Sequence, residues 1–283
     1  MTGRRFLPVR LPMYDWPEVK AETLRLERAL QGALCAVLDL DPSGFRERPE
    51  NAELVEVWTD PDLLLTQTCG YPLTHALAGR VRLLGAPHYS APGCDGVTYC
   101  SQLVVFAESS HRCLEDLRGR RAVYNGADSQ SGMNAFRHAV AGLRGRDGGG
   151  SENENRFFSD VVASGSHLGS MRAVAAQEAD VACIDAICWW LACREVPDLT
   201  ARLRPIGRTA SVPGLPLITS LRFTDREADL IADTIDAVLT GPETQESRER
   251  LGIRGFSKLD VGDYTGLLSM EREAAGLGYP VLA

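Results

Sequence analysis

The stretch best suited to chemistry runs from Arg121 to Val140, and at its centre lies a cluster of neutral hydrogen-bond donors. Asn125, Ser129, Ser131 and Gly132 fall between a short β-prone run, Arg121 to Tyr124, and a segment where Met133, Phe136, Val140 and Leu143 recur at helical spacing. A strand, a hydroxyl-rich turn and a helix start place unpaired backbone N–H groups at the positive end of a helix dipole, where an anion is favoured. Ser129 and Ser131 add hydroxyl donors, Gly132 lets the backbone approach closely, and no basic residue lies between Asn125 and Asn134. The chemistry is capture of a small, dehydrated anion by neutral donors. The simpler alternative is that Asp128 or Ser129 only caps the helix.

Five further residues follow or flank strands. Tyr14 closes the run Arg5 to Leu11, Tyr71 lies in Gly70-Tyr71-Pro72-Leu73, and Ser101 precedes the apolar strand Gln102 to Phe106. His167 sits in Gly165-Ser166-His167-Leu168-Gly169-Ser170, and Asp185 ends the buried strand Ala179 to Ile184. Ligands of open α/β sheets bind beyond the carboxyl ends of strands, so these residues are expected to converge on one cleft. Each has a plainer role beside it: interface tyrosines for Tyr14 and Tyr71, a helix cap for His167, and a cap on the Trp189 helix for Asp185. The other histidines, His75, His88, His111 and His138, have no partner pattern. Cys183, Cys188 and Cys193 recur every five residues, which misses metal spacing, so no metal and no cofactor is expected. No dinucleotide, Walker, nucleophile-elbow or HExxH motif stands in a fitting context.

The elements that must position these residues alternate. Strands are expected at Arg5 to Leu11, Leu54 to Trp58, Val81 to Leu84, Gln102 to Phe106, Ala179 to Ile184, Leu203 to Arg208 and Leu217 to Phe223. Helices are expected from Pro17 to about Leu34, briefly over Leu63 to Leu65, from Met171 to about Glu178, around Trp189 and Trp190, and within Asp260 to Gly278. The segment Asp225 to Leu239 is amphipathic, with Thr224 or Asp225 as its cap. Arg144 to Asn155 is polar and Gly-rich, hence a loop. The alternation predicts an α/β protein with a largely parallel sheet. Two lobes are expected, one of residues 1–95 plus 206–283 and one of 96–205, crossing near 92–104 and 202–212.

A length of 283 residues and a net charge of −8 without any Lys/Arg run exclude a nucleic-acid surface. The longest apolar stretches are too short to insert in a bilayer. The first residues lack an apolar signal core, which points to the cytoplasm, or to the periplasm only if a leader has been removed. The eight cysteines are therefore expected reduced, Cys94 and Cys100 being the one pair a hairpin could join.

Four segments carry a resemblance: Leu11-Pro12-Met13-Tyr14; Gly70-Tyr71-Pro72-Leu73; Asn125 with Ser129-Gln130-Ser131-Gly132; and Gly165-Ser166-His167 followed by Ala173-Val174 and Ala179-Asp180-Val181-Ala182. Through them, over roughly residues 5 to 240, the chain resembles the phosphate/phosphonate-binding branch of the type 2 periplasmic binding proteins, the substrate-binding family of phosphonate ABC transport. The resemblance implies two α/β lobes joined by two crossover segments, with a ligand cleft between them. It implies that Ser129, Ser131 and the Gly132 amide clasp an anionic head group, with Tyr14 and Tyr71 opposite, His167 as a further donor and Asp185 facing a cationic group. Position 130 departs from it, being Gln where a hydroxyl residue is usual, and Cys69 and Cys100 are unexpected beside such a cleft. The implied function is binding of a small anionic or zwitterionic solute, with a transporter or signalling protein as partner. The alternative is a cytosolic enzyme on the same fold, similar to menaquinone-biosynthesis enzymes, with His167 as general base.

Overall fold

The computed structural model describes residues 5–46, 53–144 and 156–283. The chain divides into two compact units, Met1–Ser90, Asp95–Val97 and Pro213–Tyr264 in the first, and Ala91–Cys94, Thr98–Val212 and Thr265–Ala283 in the second.

The first unit is built on a four-stranded sheet in the order Thr66–Gln67, Leu217–Ser220, Val81–Tyr89, Ile253–Ser257. Every neighbouring pair in it is antiparallel, which corrects the expectation of a largely parallel sheet here. The helices Lys20–Leu38 and Asp225–Thr240 pack on one another, and the second also covers strands Val81–Tyr89 and Ile253–Ser257. Leu26, Leu30 and Leu34 repeat every four residues on the first helix, as do Ile231, Ile235 and Leu239 on the second, and all six are buried. Thr224 and Glu227 close a reciprocal capping box that starts the second helix where its amphipathic pattern begins.

Three local expectations fail for visible reasons. Leu54–Trp58 is one helical turn, not a strand, closed by the Thr59 amide and hydroxyl on the Val55 carbonyl (3.0 and 2.8 Å). Only Trp58 of those five is buried, so the β-branched residues have no sheet to pack against. Leu63 to Leu65, expected helical, are buried and non-helical, Leu63 bridging in parallel to Leu7. The expected strand Arg5 to Leu11 is reduced to isolated bridges at Phe6, Leu7 and Arg10, because Pro8 has no N–H to continue a ladder.

The second unit carries a five-stranded sheet in the order Asp160–Ala163, Arg121–Tyr124, Val181–Asp185, Ser101–Phe106, Leu203–Arg208. Arg121–Tyr124 is parallel to both its neighbours, whereas Ser101–Phe106 is antiparallel to both of its own. The sheet is therefore mixed. Its core joins Leu103, Val105, Val181 and Cys183 to Phe136 and Val140 of the helix Ala135–Arg144, to Phe157 and Phe158, and to Tyr279 and Leu282.

That last contribution corrects the expected lobe boundary. The helix Thr265–Gly276 packs on Ala135–Arg144, and Tyr279 and Leu282 fill this core, so the C-terminal segment belongs to the second unit. The return to the first unit falls at Pro213 rather than 206, since Leu203–Arg208 pairs with Ser101–Phe106. Residues 145–155, expected as a Gly-rich loop, lie outside the described residues.

Candidate functional site

The candidate site grows from the carboxyl end of the strand Arg121–Tyr124. Ser129 is extended (φ −87°, ψ 128°), and its Oγ accepts the Gly132 N–H at 2.9 Å. The helix does not open as an ordinary α-turn. Gln130–Asn134 is a π-turn, in which the Asn134 amide donates to the Ser129 carbonyl (3.0 Å) and the Ala135 amide to that of Gln130. Such wide turns concentrate at functional sites. Gly132 sits in close approach: a Cβ there would lie 1.9 Å from Asn125 Oδ1 and 3.2 Å from His167 Cε1, so any larger residue must turn the Asn125 side chain aside. Ser129 is thus the cap foreseen as the simpler alternative. The Gly132 amide, foreseen as a ligand donor, is held by that cap.

Ser131 Oγ lies 2.9 Å from His167 Nε2 and 3.5 Å from Ser129 Oγ. His167 opens the helix His167–Ala175 but does not cap it. Ser166 does, accepting the Gly169 amide at 3.0 Å. Burial of the imidazole pushes its pKa down to about 4, so the ring is neutral at pH 7. Nδ1 is buried without a hydrogen-bond partner. A neutral ring has one N–H, and a buried unpaired donor costs more than a buried lone pair. The proton therefore sits on Nε2 and is donated to Ser131 Oγ. The Ser131 hydroxyl proton remains for another acceptor.

Ser101 and Cys183 hold the same loop from beneath. Ser101 Oγ donates to the Ser131 carbonyl at 3.0 Å, and Cys183 Sγ reaches it at 3.1 Å. Ser101, foreseen as a ligand contact, uses its only proton to anchor the loop. Nothing in the five-residue spacing of Cys183 announces this contact. Gln130, where a hydroxyl is usual, is fully buried and turned away, its Nε2 on Met270 Sδ at 3.5 Å.

The remaining candidates make contacts of their own. Asp185 is buried and caps the helix Ala186–Glu195, its Oδ1 accepting the Ile187 and Cys188 amides at 2.7 and 3.2 Å. Burial chiefly, and the Asp185 charge next, push the Cys94 thiol up to about 12. All eight cysteines are free thiols, Cys94 and Cys100 among them. In the first unit, Tyr14 is buried edge-on to Tyr89 (centroids 5.2 Å), and with Gln67 and Thr23 it lines a small, mostly apolar cavity. Tyr71 stacks on His75 at 3.9 Å. Thr68 was not singled out by the sequence, yet its hydroxyl is buried without a hydrogen-bond partner. Among the described residues no group of His, Cys, Asp and Glu side chains is arranged to hold a metal, and no helix is long and apolar enough to cross a membrane.

Comparison with known proteins gives a family and a fold. A profile of the family described as ABC transporter, phosphonate, periplasmic substrate-binding protein matches residues 60–264. Comparison with curated protein sequences gives no match. Among solved structures, a binding-protein component of an ABC phosphonate transporter from Pseudomonas aeruginosa is similar at TM-score 0.70 and 14% identity, over 97% of this chain and 88% of that one. PhnD1 from Prochlorococcus marinus, in complex with methylphosphonate, is similar at 0.69 and 14%, over 96% and 98%. A Xanthomonas citri protein bound to ATP is similar at 0.66 and 15%, over 98% of both. At these identities the structures establish the type 2 periplasmic binding protein fold.

Proposed function

Since this chain belongs to the family of periplasmic substrate-binding proteins of phosphonate ABC transporters, we propose that it binds a small phosphonate-like anion at the Ser129–Gly132 turn of the second unit. Ser131 is the principal donor. One observation supports the reading: the Ser131–His167 contact at 2.9 Å, with the ring neutral, leaves the Ser131 proton only the long 3.5 Å contact to Ser129 Oγ among the described hydrogen bonds, so an oxyanion acceptor can take it. An oxyanion at a helix start supplies that acceptor and is favoured by the dipole. Asn125, stacked closely over Gly132, shapes the turn. Family membership implies a transporter as the protein partner and the periplasm as the compartment, whereas the cytoplasmic expectation rested on the first residues alone.

The 2.9 Å contact is also the geometry of a nucleophile and its base, and it brings the enzyme reading back for comparison. A base must accept a proton. His167, with its pKa near 4 and no hydrogen-bond acceptor on Nδ1 to orient it and stabilise an imidazolium, is a poor one. The balance favours binding.

Titration calorimetry of the intact protein with methylphosphonate, phosphate and sulfate tests the proposal. Removing one hydroxyl that bonds a charged group costs about 1.5–3 kcal/mol, so Ser131→Ala is expected to weaken phosphonate binding roughly ten- to a hundredfold. Unchanged affinity in Ser131→Ala would reduce the turn to a helix cap.

A further inference from the structure

A buried polar chain runs from this turn to the C-terminal segment, and the binding reading makes no use of it. Gln130 and Asn134 are both fully buried, and Asn134 Nδ2 donates to Gln130 Oε1 at 2.7 Å and to the Leu267 carbonyl at 3.1 Å. Asn134 Oδ1 in turn accepts Arg137 Nη2 at 2.7 Å. The guanidinium is itself almost wholly enclosed. Its Nη1 donates to the Pro280 carbonyl at 2.7 Å, and Nη2 lies 3.4 Å from Glu271. The backbone completes the path, because the Asn134 amide donates to the carbonyl of Ser129, whose hydroxyl fixes Gly132.

We propose that Arg137 is a positioning residue for the anion-binding turn: by gripping Asn134 from one side and the 265–283 segment from the other, it holds the π-turn open and so sets the Ser129 and Ser131 hydroxyls. The inference rests on the binding function proposed above. Three observations distinguish such a role from ordinary core packing. A long cation is enclosed where an apolar residue would fill the space without a desolvation cost. Its contacts are fork-shaped, two donors to two separate segments, which fixes orientation as well as distance. And the turn it supports is the irregular one, where the regular i→i−4 bond of Asn134 would fall on Gln130 rather than Ser129. Without the guanidinium, the Asn134 side-chain oxygen loses the donor that holds it, its Nδ2 keeps only Gln130 and Leu267, and the turn can relax towards an α-turn.

Two measurements on the full chain test this, one with ligand and one without. Arg137→Met keeps the apolar stem and removes the fork. Its methylphosphonate affinity is expected to fall about tenfold, the drop that follows if the competent turn is reduced to about a tenth of the population. Leu203→Ala, in the edge strand at the far side of the same sheet, serves as the control for general destabilisation. It should lower thermal stability and leave affinity within twofold. Without ligand, the amide NMR resonances of Gly132 and Asn134 should shift in Arg137→Met and in Asn134→Leu, and stay in Leu203→Ala. Arg137→Lys, able to reach one acceptor but not both, should restore stability more than it restores those resonances. Unmoved Gly132 and Asn134 resonances in Arg137→Met overturn the positioning role whether or not the protein binds phosphonate. If those resonances shift while wild type ignores methylphosphonate, the relay stands and the ligand assignment fails.

Discussion

Acidification offers a sharp test of the enclosed His167. The ring carries its proton readily in the unfolded chain, near pH 6.5, and reluctantly in the folded one, near pH 4, because burial opposes the charge. Between those values the unfolded state binds more protons, so stability is lost as pH falls through the window. At about 1.4 kcal/mol for each pH unit, folding loses about 2 kcal/mol between pH 7 and pH 5 from this group alone, and about 3 kcal/mol by pH 4. The perturbation is His167→Gln, which keeps a side-chain N–H for Ser131 but cannot titrate. Urea unfolding at pH 7, 6, 5 and 4.5 should give a wild-type curve steeper in pH than that of the variant. The carboxylates contribute alike to both and cancel in the difference. A bound phosphonate beside Ser131 would stabilise the imidazolium and raise the folded-state pKa towards 6.5, so saturating methylphosphonate should shrink the loss between pH 7 and pH 4. Parallel pH slopes for wild type and His167→Gln would show that the ring is hydrated, and the assignment of its proton to Nε2 would fall with it.

Two substitutions separate support of the fold from contact with ligand. Gly132→Ala forces a Cβ to within 1.9 Å of Asn125 Oδ1, so it should cost about 1–3 kcal/mol in thermal unfolding and abolish measurable phosphonate binding; wild-type affinity would refute the close packing of this turn. Asp185→Ala removes the cap on the helix Ala186–Glu195 and should cost about 1–2 kcal/mol while leaving methylphosphonate affinity within twofold. A collapse of affinity would instead place that carboxylate against the ligand.

What could be read from the sequence, and what could not, follows the range of the forces involved. The helix Asp225–Thr240 and its Thr224 cap were legible because apolar period, cap and first-turn acids lie within one local window. The same holds for the strand–turn–helix at Arg121–Arg144, whose Ser129 cap is three residues from the amide it accepts. Leu54–Trp58 misled because its residues favour a strand only where a sheet receives them. The mixed sheet pairing and the home of residues 265–283 were hidden for a related reason. Nothing local in Tyr279 or Leu282 says which core they fill. The relative orders of strands are long-range facts.

The site shows the same division at closer range. The hydroxyls of Ser129 and Ser131 raise the expectation of an anion, but what fixes their placement lies far away in sequence: His167, 36 residues on from Ser131, Cys183, 52 residues on, and Leu267, 133 residues on from Asn134. Ser101 and Asp185 were singled out for position at strand ends, and each turned its polar atoms to the protein's own backbone. Both sites are strand ends, where unpaired amides and carbonyls compete with any ligand for the same side chains. A polar residue at such a place serves a ligand only where other groups have already satisfied the backbone around it. At Ser131 the carbonyl is taken by Ser101 and Cys183 and the hydroxyl oxygen lies 2.9 Å from His167 Nε2 and 3.5 Å from Ser129 Oγ, so on the binding reading its proton is the one a ligand oxyanion would take.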